Sequence, residues 1–174
     1  MFRLSFIAAV AIVATGCAST GAVPRPFPLP GGTPTAPSTP GTEGSVGTAP
    51  TRDGYAISST ALAFRGAPYR NGGSDPQQGF DCSGFVQFVY NEHGVKMPRA
   101  VRQQFGMGQD VQPNDLEPGD LVFFSTIAPG PSHVGIAVGG DQFIHAPSTS
   151  GVVRVENLSS QYWASRFVGA RRVN

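Results

Sequence analysis

Three side chains that could carry out nucleophilic chemistry lie in two short stretches of this 174-residue chain. Cys82 lies in FDCSGFVQFVY, just ahead of an apolar run rather than inside it, and His133 and His145 bound the stretch HVGIAVGGDQFIH. An imidazole beside a thiol can act as its general base, and a further polar group can orient that base. The pattern therefore makes Cys82 a candidate nucleophile, His133 a candidate base and His145 a candidate orienting residue.

Each of these residues also has a plainer interpretation. Cys82 alone could be a buried, inert thiol, and each histidine could be a hydrogen-bonded structural residue. A cysteine and two histidines are also possible zinc ligands, although the chain has no CxxC or HExxH motif. We favour a site with no metal and no organic cofactor. His93 lies about 15 Å along the same predicted helix from Cys82, so we expect it to be a C-terminal cap or a surface residue rather than the base.

The elements that must position these residues are predicted from apolar periodicity and turn residues. We predict helices at about Ala56–Phe64, Ser83–Glu92 and Ala100–Phe105. Strands are predicted at Asp120–Phe124, His133–Val138, Gln142–His145, Val152–Val155 and Phe167–Val173. Helices followed by a run of strands predict an α+β fold, with the N-terminal helices packed on an antiparallel sheet of about five strands.

Cys82 is predicted at the N-terminus of the second helix. Unpaired backbone N–H groups and the helix dipole favour an anion there, so we expect a lowered pKa for the Cys82 thiol. The same N–H groups could stabilise an oxyanion beside the sulfur.

The hairpin between the two histidines decides whether they can act together. Side chains alternate along a strand, so His133 and His145 share a face only if the loop has an odd number of residues. We predict a three-residue loop, Gly139-Gly140-Asp141. Gly135 and Ala137 on the histidine face are small, and we expect the cysteine-bearing helix to pack there.

Over about residues 56–173 the chain resembles the NlpC family of papain-like cell-wall cysteine peptidases. The resemblance rests on GAPYRNGG, FDCSGFVQFVY, MPR, LEPGDLVFF, SHVGIAV, FIHA and YWASRFVGARRV, in this order. It implies a papain-like NlpC-type domain with Cys82 as nucleophile, His133 as base and His145 as the third polar residue. Within the family, the N-terminal segment and the final stretch look most like the Spr-type murein endopeptidases.

The resemblance also suggests residues that contact the substrate. Tyr69 matches a family tyrosine near the oxyanion region, although a loop aromatic covering the core is the alternative. Ser83 is the second candidate for oxyanion or substrate binding, and its backbone is expected to matter more than its hydroxyl. Arg70 and Arg99 could meet substrate carboxylates or could be solvated.

The N-terminal third of the chain predicts export. Residues 1–16 have Arg3 followed by an apolar run of about ten residues, which is typical of a signal peptide and too short to span a bilayer. The sequence Ala14-Thr15-Gly16-Cys17 resembles a bacterial lipoprotein box, in which Cys17 would be acylated. Plain secretion and a retained anchor are the alternatives. Since Ala18 rather than Asp follows Cys17, the resemblance implies the periplasmic side of the outer membrane.

A linker and one domain complete the predicted organisation. Residues 17–50, from the lipidated cysteine onward, form a Pro/Gly/Ser/Thr-rich linker with eight of the sixteen prolines, and we expect it to be disordered. A PxxP-type recognition motif is the alternative there. Residues 51–174 are predicted to be the peptidase domain. They carry ten Lys or Arg and ten Asp or Glu, so their charge gives no support to nucleic-acid binding.

The predicted function is that of an exported hydrolase of peptidoglycan stem peptides. The bond cut would be the D,D cross-link or the γ-D-glutamyl–diaminopimelate bond, and the Spr-like features favour the first. One alternative is a catalytically silent, wall-binding lipoprotein. Another is a thiol acyltransferase or amidase on the same scaffold. The expected partners are stem peptides and, through Cys17, a membrane; nothing in the sequence indicates an oligomeric state.

Overall fold

Residues 53–173 are described by the computed structural model, so the predicted signal peptide, Cys17 and the linker lie outside the described part. The helices are α1 (Gly54–Ala63), α2 (Cys82–Glu92), α3 (Val101–Phe105) and α4 (Gln161–Ala164), with a 3-10 turn at Pro113–Asp115. The strands are β1 (Ser74–Asp75), β2 (Gly79–Phe80), β3 (Gln109–Val111), β4 (Leu121–Phe124), β5 (His133–Gly139), β6 (Gln142–His145), β7 (Arg154–Asn157) and β8 (Phe167–Arg172). Between residues 53 and 173, no helix combines the length and apolar character that crossing a bilayer requires.

The two longer helices both begin after an aspartate. The Asp53 carboxylate accepts a hydrogen bond from the Tyr55 N–H, and the Asp81 carboxylate accepts one from the Gly84 N–H at 2.8 Å. Aspartate satisfies the unpaired N–H groups of a first helical turn, so these positions fix where the helices start. The start of α2 matters most, because it places Cys82 at the first helical position.

The main sheet has six antiparallel strands in the order β3-β8-β4-β5-β6-β7. Helices α1 and α2 pack on one face, and α4 contributes Trp163 to the other. Strand β4 lies inside the sheet, and all four of its residues are buried because both faces are covered. The predicted α+β fold with helices on an antiparallel sheet is confirmed.

The predicted sheet of about five strands corresponds to the six-stranded main sheet, and three short strands were not predicted. Strand β3 pairs with β8 at the edge of the main sheet, and β1 pairs with β2 in a separate two-stranded sheet. These strands are two or three residues long and carry few apolar side chains, so alternation does not reveal them. Strand β7 also begins at Arg154, two residues later than predicted.

The predicted three-residue hairpin loop was wrong, although its geometric consequence holds. Gly139 pairs with Gln142, so the turn contains two residues, Gly140 and Asp141. The register shifts between Ala137 and Gly139, which marks a β-bulge with one extra residue in β5. With this extra residue, the number of unpaired residues between the two strands is odd, so both histidines lie on the same face of the sheet.

The expected contact between the histidine face and α2 was also wrong. Helix α2 packs on the opposite face, against Val134 and Ile136. A Cβ built on Gly135 would lie 2.6 Å from the Phe143 ring and 3.2 Å from the His145 Cβ. The small residue therefore leaves room for side chains of the neighbouring strand β6, and Cys82 approaches the first residues of β5 from the other face.

Candidate active site

His133 and His145 form a buried pair on the α4 face of the sheet. The Nε2 atom of His133 lies 2.7 Å from the Nδ1 atom of His145, and the rings are nearly perpendicular at 88°. His145 is fully buried and His133 is 8% exposed. The Trp163 indole stacks on His133 at 5.5 Å and 21°, and it meets His145 edge-on. Both rings are therefore held in fixed orientations.

Cys82 opens onto the same cleft as His133. The cleft has a volume of about 360 Å³. Its lining comprises Tyr69, Cys82, Thr126, Ile127, Ser132, His133, Ala146, Pro147, Ser148, Thr149, Glu156, Tyr162 and Trp163. The backbone N–H groups of Cys82, Ser83 and Val134 lie close to the Cys82 sulfur and lower the pKa of its thiol. Because Val134 follows His133 directly, this contact brings the start of α2 to the start of β5.

The expected lowering of the Cys82 pKa was wrong. Burial raises the pKa of the Cys82 thiol, and the neighbouring Asp81 carboxylate raises it further. The three backbone N–H groups lower the pKa, as a helix N-terminus should, but desolvation of the thiolate outweighs them. This burial could not be predicted from the sequence, since Cys82 precedes the apolar run. The resting side chain is therefore a neutral thiol.

The histidines are neutral as well. Burial lowers the pKa of His133 to about 4. Burial, together with His133 and Arg154, lowers the pKa of His145 to about 2. A neutral imidazole carries one N–H and one lone pair, so the contact between the two rings has a single proton to share. At neutral pH, His133 can therefore accept the thiol proton only while the sulfur is forming a bond to another atom.

Arg99 holds the N-terminus of α2 together. Its guanidinium donates to the Asp81 carboxylate at 2.5 Å and to the Ser83 hydroxyl at 2.6 Å. The Ser83 hydroxyl in turn donates to Asp81 at 3.3 Å. The Ser83 side chain is thus committed to these two residues, and only its backbone N–H is directed to Cys82. A Cβ on Gly84 would lie 2.0 Å from the Gly73 carbonyl oxygen, so the helix start also packs tightly on the preceding loop.

Tyr69 lies on the wall of the cleft. Its backbone N–H donates to the Gly151 carbonyl at 2.7 Å, and it forms a bridge with Phe80 just before α2. Burial raises the pKa of the Tyr69 phenol, as do the nearby Cys82 and Asp81. The phenol therefore keeps its proton and can donate a hydrogen bond into the cleft.

Two further predicted residues lie outside the cleft. His93 is the C-cap of α2, as predicted, and its Nε2 lies 2.9 Å from the Thr60 hydroxyl. Arg70 is exposed and donates to the Gln78 side chain. Among residues 53–173, no three His, Cys, Asp or Glu side chains are grouped so that they could hold a metal ion.

Sequence reasoning missed Glu156 and gave Trp163 no role of its own. The Glu156 carboxylate lies 3.7 Å from His145 Nε2 and 3.0 Å from Arg154 Nε, and it accepts a hydrogen bond from the Trp163 indole. Strand β7 pairs with β6, with Arg154 opposite His145. The predicted strand ended at Val155, so the position of Glu156 beside the histidines was not visible in the sequence.

The part of the chain that forms the cleft matches a known protein family. A family model described as the NlpC/P60 family matches residues 66–172, which include all the cleft residues. The chain is similar to a solved NlpC/P60 family protein from Bacillus cereus, with a TM-score of 0.65 and 34% identity over 71% of this chain and 41% of that one.

Two curated relatives are enzymes by name. The chain is 43% identical to murein DD-endopeptidase MepS/murein LD-carboxypeptidase of Escherichia coli K12, over 63% of this chain and 57% of that protein. It is 41% identical to gamma-DL-glutamyl hydrolase of Bacillus subtilis 168, over 67% of this chain and 29% of that protein. The match thus spans between 29% and 57% of the length of these two relatives.

Proposed function

Because the chain belongs to the NlpC/P60 family, we propose that its domain is a cysteine peptidase that hydrolyses amide bonds in the stem peptides of peptidoglycan. The observation that carries this proposal is the meeting of three groups at one cleft. The Cys82 thiol and the His133 imidazole line it, and His145 lies behind His133 in hydrogen-bond contact. Nucleophile, base and orienting residue are the parts that thiol-dependent acyl transfer requires.

The reaction begins with attack of the Cys82 sulfur on an amide carbonyl carbon. His133 takes the thiol proton as the carbon–sulfur bond forms. Its Nε2 atom is engaged with His145, so Nδ1 is the nitrogen that accepts this proton. The backbone N–H groups around the sulfur and the protonated Tyr69 phenol are donors for the oxyanion of the tetrahedral intermediate.

The second half of the reaction returns the enzyme to its starting state. The imidazolium of His133 protonates the leaving amine, and an acyl-enzyme thioester remains on Cys82. His133 then removes a proton from water as the water oxygen attacks the thioester carbon. The carbon–sulfur bond breaks, the acid product leaves, and the Cys82 sulfur takes the proton back from His133. All of these steps use groups on this chain and water, and we propose no metal or organic cofactor.

The proposed bond is the D,D cross-link between two stem peptides. The relative from Escherichia coli is named a murein DD-endopeptidase and has the higher identity of the two curated relatives. The γ-D-glutamyl–diaminopimelate bond is the second candidate, because the Bacillus relative is named a gamma-DL-glutamyl hydrolase. The two bonds give different products, so one digestion distinguishes them.

Export and anchoring are part of the same proposal, because the substrate lies outside the cytoplasm. We propose that residues 1–16 are removed, that Cys17 is acylated, and that residues 17–50 hold the domain away from the outer membrane. A Cys17→Ser variant expressed in cells should then lose its partition into detergent. Retention of that partition would contradict acylation at Cys17.

Digestion of purified muropeptides tests the proposed activity. Wild-type domain should convert cross-linked dimers into monomers, and Cys82→Ala should leave them intact. Formation of a disaccharide dipeptide ending in D-glutamate, with release of a diaminopimelate-containing peptide, would instead support the γ-D-glutamyl bond. Identical product patterns from wild type and Cys82→Ala would reject the cysteine mechanism and favour the silent wall-binding alternative. Transfer of the acyl group to an added amine in place of water would favour an acyltransferase.

A further inference from the structure

We propose that Glu156 is a positioning residue of the catalytic pair, because its carboxylate accepts the Nε2–H of His145 and so fixes the tautomer that orients His133. The inference rests on the proposed function, but it concerns a residue outside the Cys-His-His set. It assigns a fourth group to the site, beside the histidine that contacts His133.

The buried face of His145 supplies the first reason. Its Nδ1 atom contacts His133, but its Nε2 atom is buried and has no hydrogen-bond partner among residues 53–173. A buried polar atom without a hydrogen-bond partner lowers the stability of the fold by about 1–3 kcal/mol, so a partner for this nitrogen would be stabilising. The Glu156 Oε1 atom lies nearby, at 3.7 Å. Catalytic hydrogen bonds are often long in the free enzyme and shorten when substrate binds, and this separation is within such a movement.

The carboxylate of Glu156 is itself held in place. Arg154 Nε contacts Oε1 at 3.0 Å, and the Trp163 indole donates to Oε2. The same Trp163 ring stacks on His133. Glu156 therefore contacts Trp163, which packs on His133, and it also lies beside His145. Its position affects both histidine rings.

The tautomers of the two rings follow from this carboxylate. A carboxylate accepts hydrogen bonds but does not donate them, so it favours the form of His145 with the proton on Nε2. Nδ1 of His145 then carries a lone pair and accepts the Nε2–H of His133. That leaves the lone pair of His133 on Nδ1, where the thiol proton must go. The opposite tautomer of His145 would donate to His133 Nε2 and place the His133 proton on Nδ1, which would block the base.

The charges that face His145 allow this selection without making the ring a cation. His133 faces it from β5, and Arg154 and Glu156 face it from β7. Helix α4 presents Trp163, which does not titrate. Because burial, His133 and Arg154 all disfavour a second proton on His145, the ring stays neutral and Glu156 determines only which nitrogen is protonated.

The first experiment compares two substitutions at this position. Glu156→Met fills the space but removes both acceptor oxygens, whereas Glu156→Gln keeps one oxygen. We expect Glu156→Met to lower kcat by about 10–100-fold, with little change in KM. A loss of this size is typical when a hydrogen-bond partner that orients a functional histidine is removed. Glu156→Gln should recover part of that loss. Glu117→Gln, an exposed glutamate that pairs with Arg172, is the matched control and should resemble wild type.

The second experiment reads the tautomer directly. Nitrogen chemical shifts of the His145 ring should show the proton on Nε2 in wild type, and Glu156→Met should populate the Nδ1–H form. In a His145→Ala background, Glu156→Met should change kcat by less than about twofold, since the two residues act as one unit. The proposal is overturned if the single Glu156→Met variant leaves kcat and the His145 tautomer unchanged. It is also overturned if the losses of the two variants multiply.

The two proposals fail in different ways. If wild type and Cys82→Ala digest muropeptides alike, the proposed function is rejected. The nitrogen shifts still decide the role of Glu156, because they need no substrate. Trp163→Phe separates the indole contact, since it keeps an aromatic ring on His133 but removes the donor to Glu156. It should leave the His145 tautomer as in wild type, and a switch to the Nδ1–H form would overturn the assignment to Glu156.

Discussion

His133 Nε2 and His145 Nδ1 lie 2.7 Å apart in a buried, nearly perpendicular pair. Because both rings are neutral, one proton lies between them, and the tautomer of one ring sets the tautomer of the other. The pair thus behaves as a single unit, and its outer nitrogen on His145 lies 3.7 Å from the Glu156 carboxylate.

The first prediction concerns the second ring. His145→Ala removes the acceptor for His133 and should lower kcat by about 100-fold or more, within the range that positioned acid–base groups contribute. His145→Asn offers an amide oxygen as acceptor and should retain more activity than His145→Ala. Steady-state kinetics on a defined cross-linked muropeptide measures both. Equal activities of wild type and His145→Ala would contradict the coupling of the two rings.

The second prediction concerns the packing that makes room for the pair. A Cβ on Gly135 would lie 2.6 Å from the Phe143 ring and 2.9 Å from the Ile144 carbonyl oxygen. Gly135→Ala should therefore destabilise the domain by about 1–3 kcal/mol, as overpacking does, and reduce activity in the fraction that folds. Gly106→Ala is the control, because its Cβ would meet nothing closer than 3.4 Å. Denaturant unfolding compares the two, and similar free energies would contradict the prediction.

How much of this site the sequence predicts depends on the range of the interactions. The N-cap at Asp81 is local, so the position of Cys82 at a helix start was predictable. Alternation along the strands required one extra residue between the two histidines for them to share a face, but did not show where that residue lies. The bulge that achieves the shared face could not be distinguished from a longer loop, since both add one residue. The direction in which the Cys82 pKa shifts depends on burial, and this burial arises only when α2 packs on β5.

Glu156 illustrates what the sequence does not show. It reaches His145 from the next strand, through a register that became known only when β7 was located. Arg99 is similar, because it is sixteen residues from Ser83 in sequence and contacts it in the fold. Residues that support a site through tertiary contacts have no fixed spacing from the residues they support, so motif reading identifies the nucleophile before its supports.

The third prediction concerns stability at low pH. Both histidines have a folded-state pKa below the value of about 6.5 expected in the unfolded chain. Between that value and the folded-state pKa, which is about 4 for His133, the unfolded chain binds protons that the folded state does not. Each histidine should therefore lower the free energy of unfolding by about 1.4 kcal/mol per pH unit as the pH falls through this window. Above it, neither contributes a pH dependence.

Urea unfolding of wild type and His133→Asn at pH 7 and pH 5 checks this sign. The loss of stability between the two pH values should be smaller in His133→Asn, because one buried neutral histidine is gone. His93→Gln is the control for removing a histidine outside the site. An equal loss in wild type and His133→Asn would show that His133 takes up its proton in the folded state.

The last prediction concerns the thiol itself. The Asp81 carboxylate raises the pKa of Cys82, and it also caps α2 and pairs with Arg99. Asp81→Asn keeps a good N-cap side chain but removes the negative charge, so the Arg99 guanidinium loses its charged partner. Both effects favour the thiolate, so the pKa of Cys82 should fall. The rate of alkylation by a neutral reagent should then rise at neutral pH, with its midpoint at a lower pH than in wild type.

Asp110→Asn is the matched control for this change, because Asp110 is an exposed carboxylate that pairs with Arg171 on the edge strand β3. It should alkylate with the wild-type pH profile. An unchanged midpoint in Asp81→Asn would mean that the positive charge of Arg99 already cancels the effect of the Asp81 carboxylate on the Cys82 pKa. Burial alone would then set the pKa of Cys82. A raised midpoint would mean that the N-cap is lost, and with it the backbone N–H groups that face the thiolate.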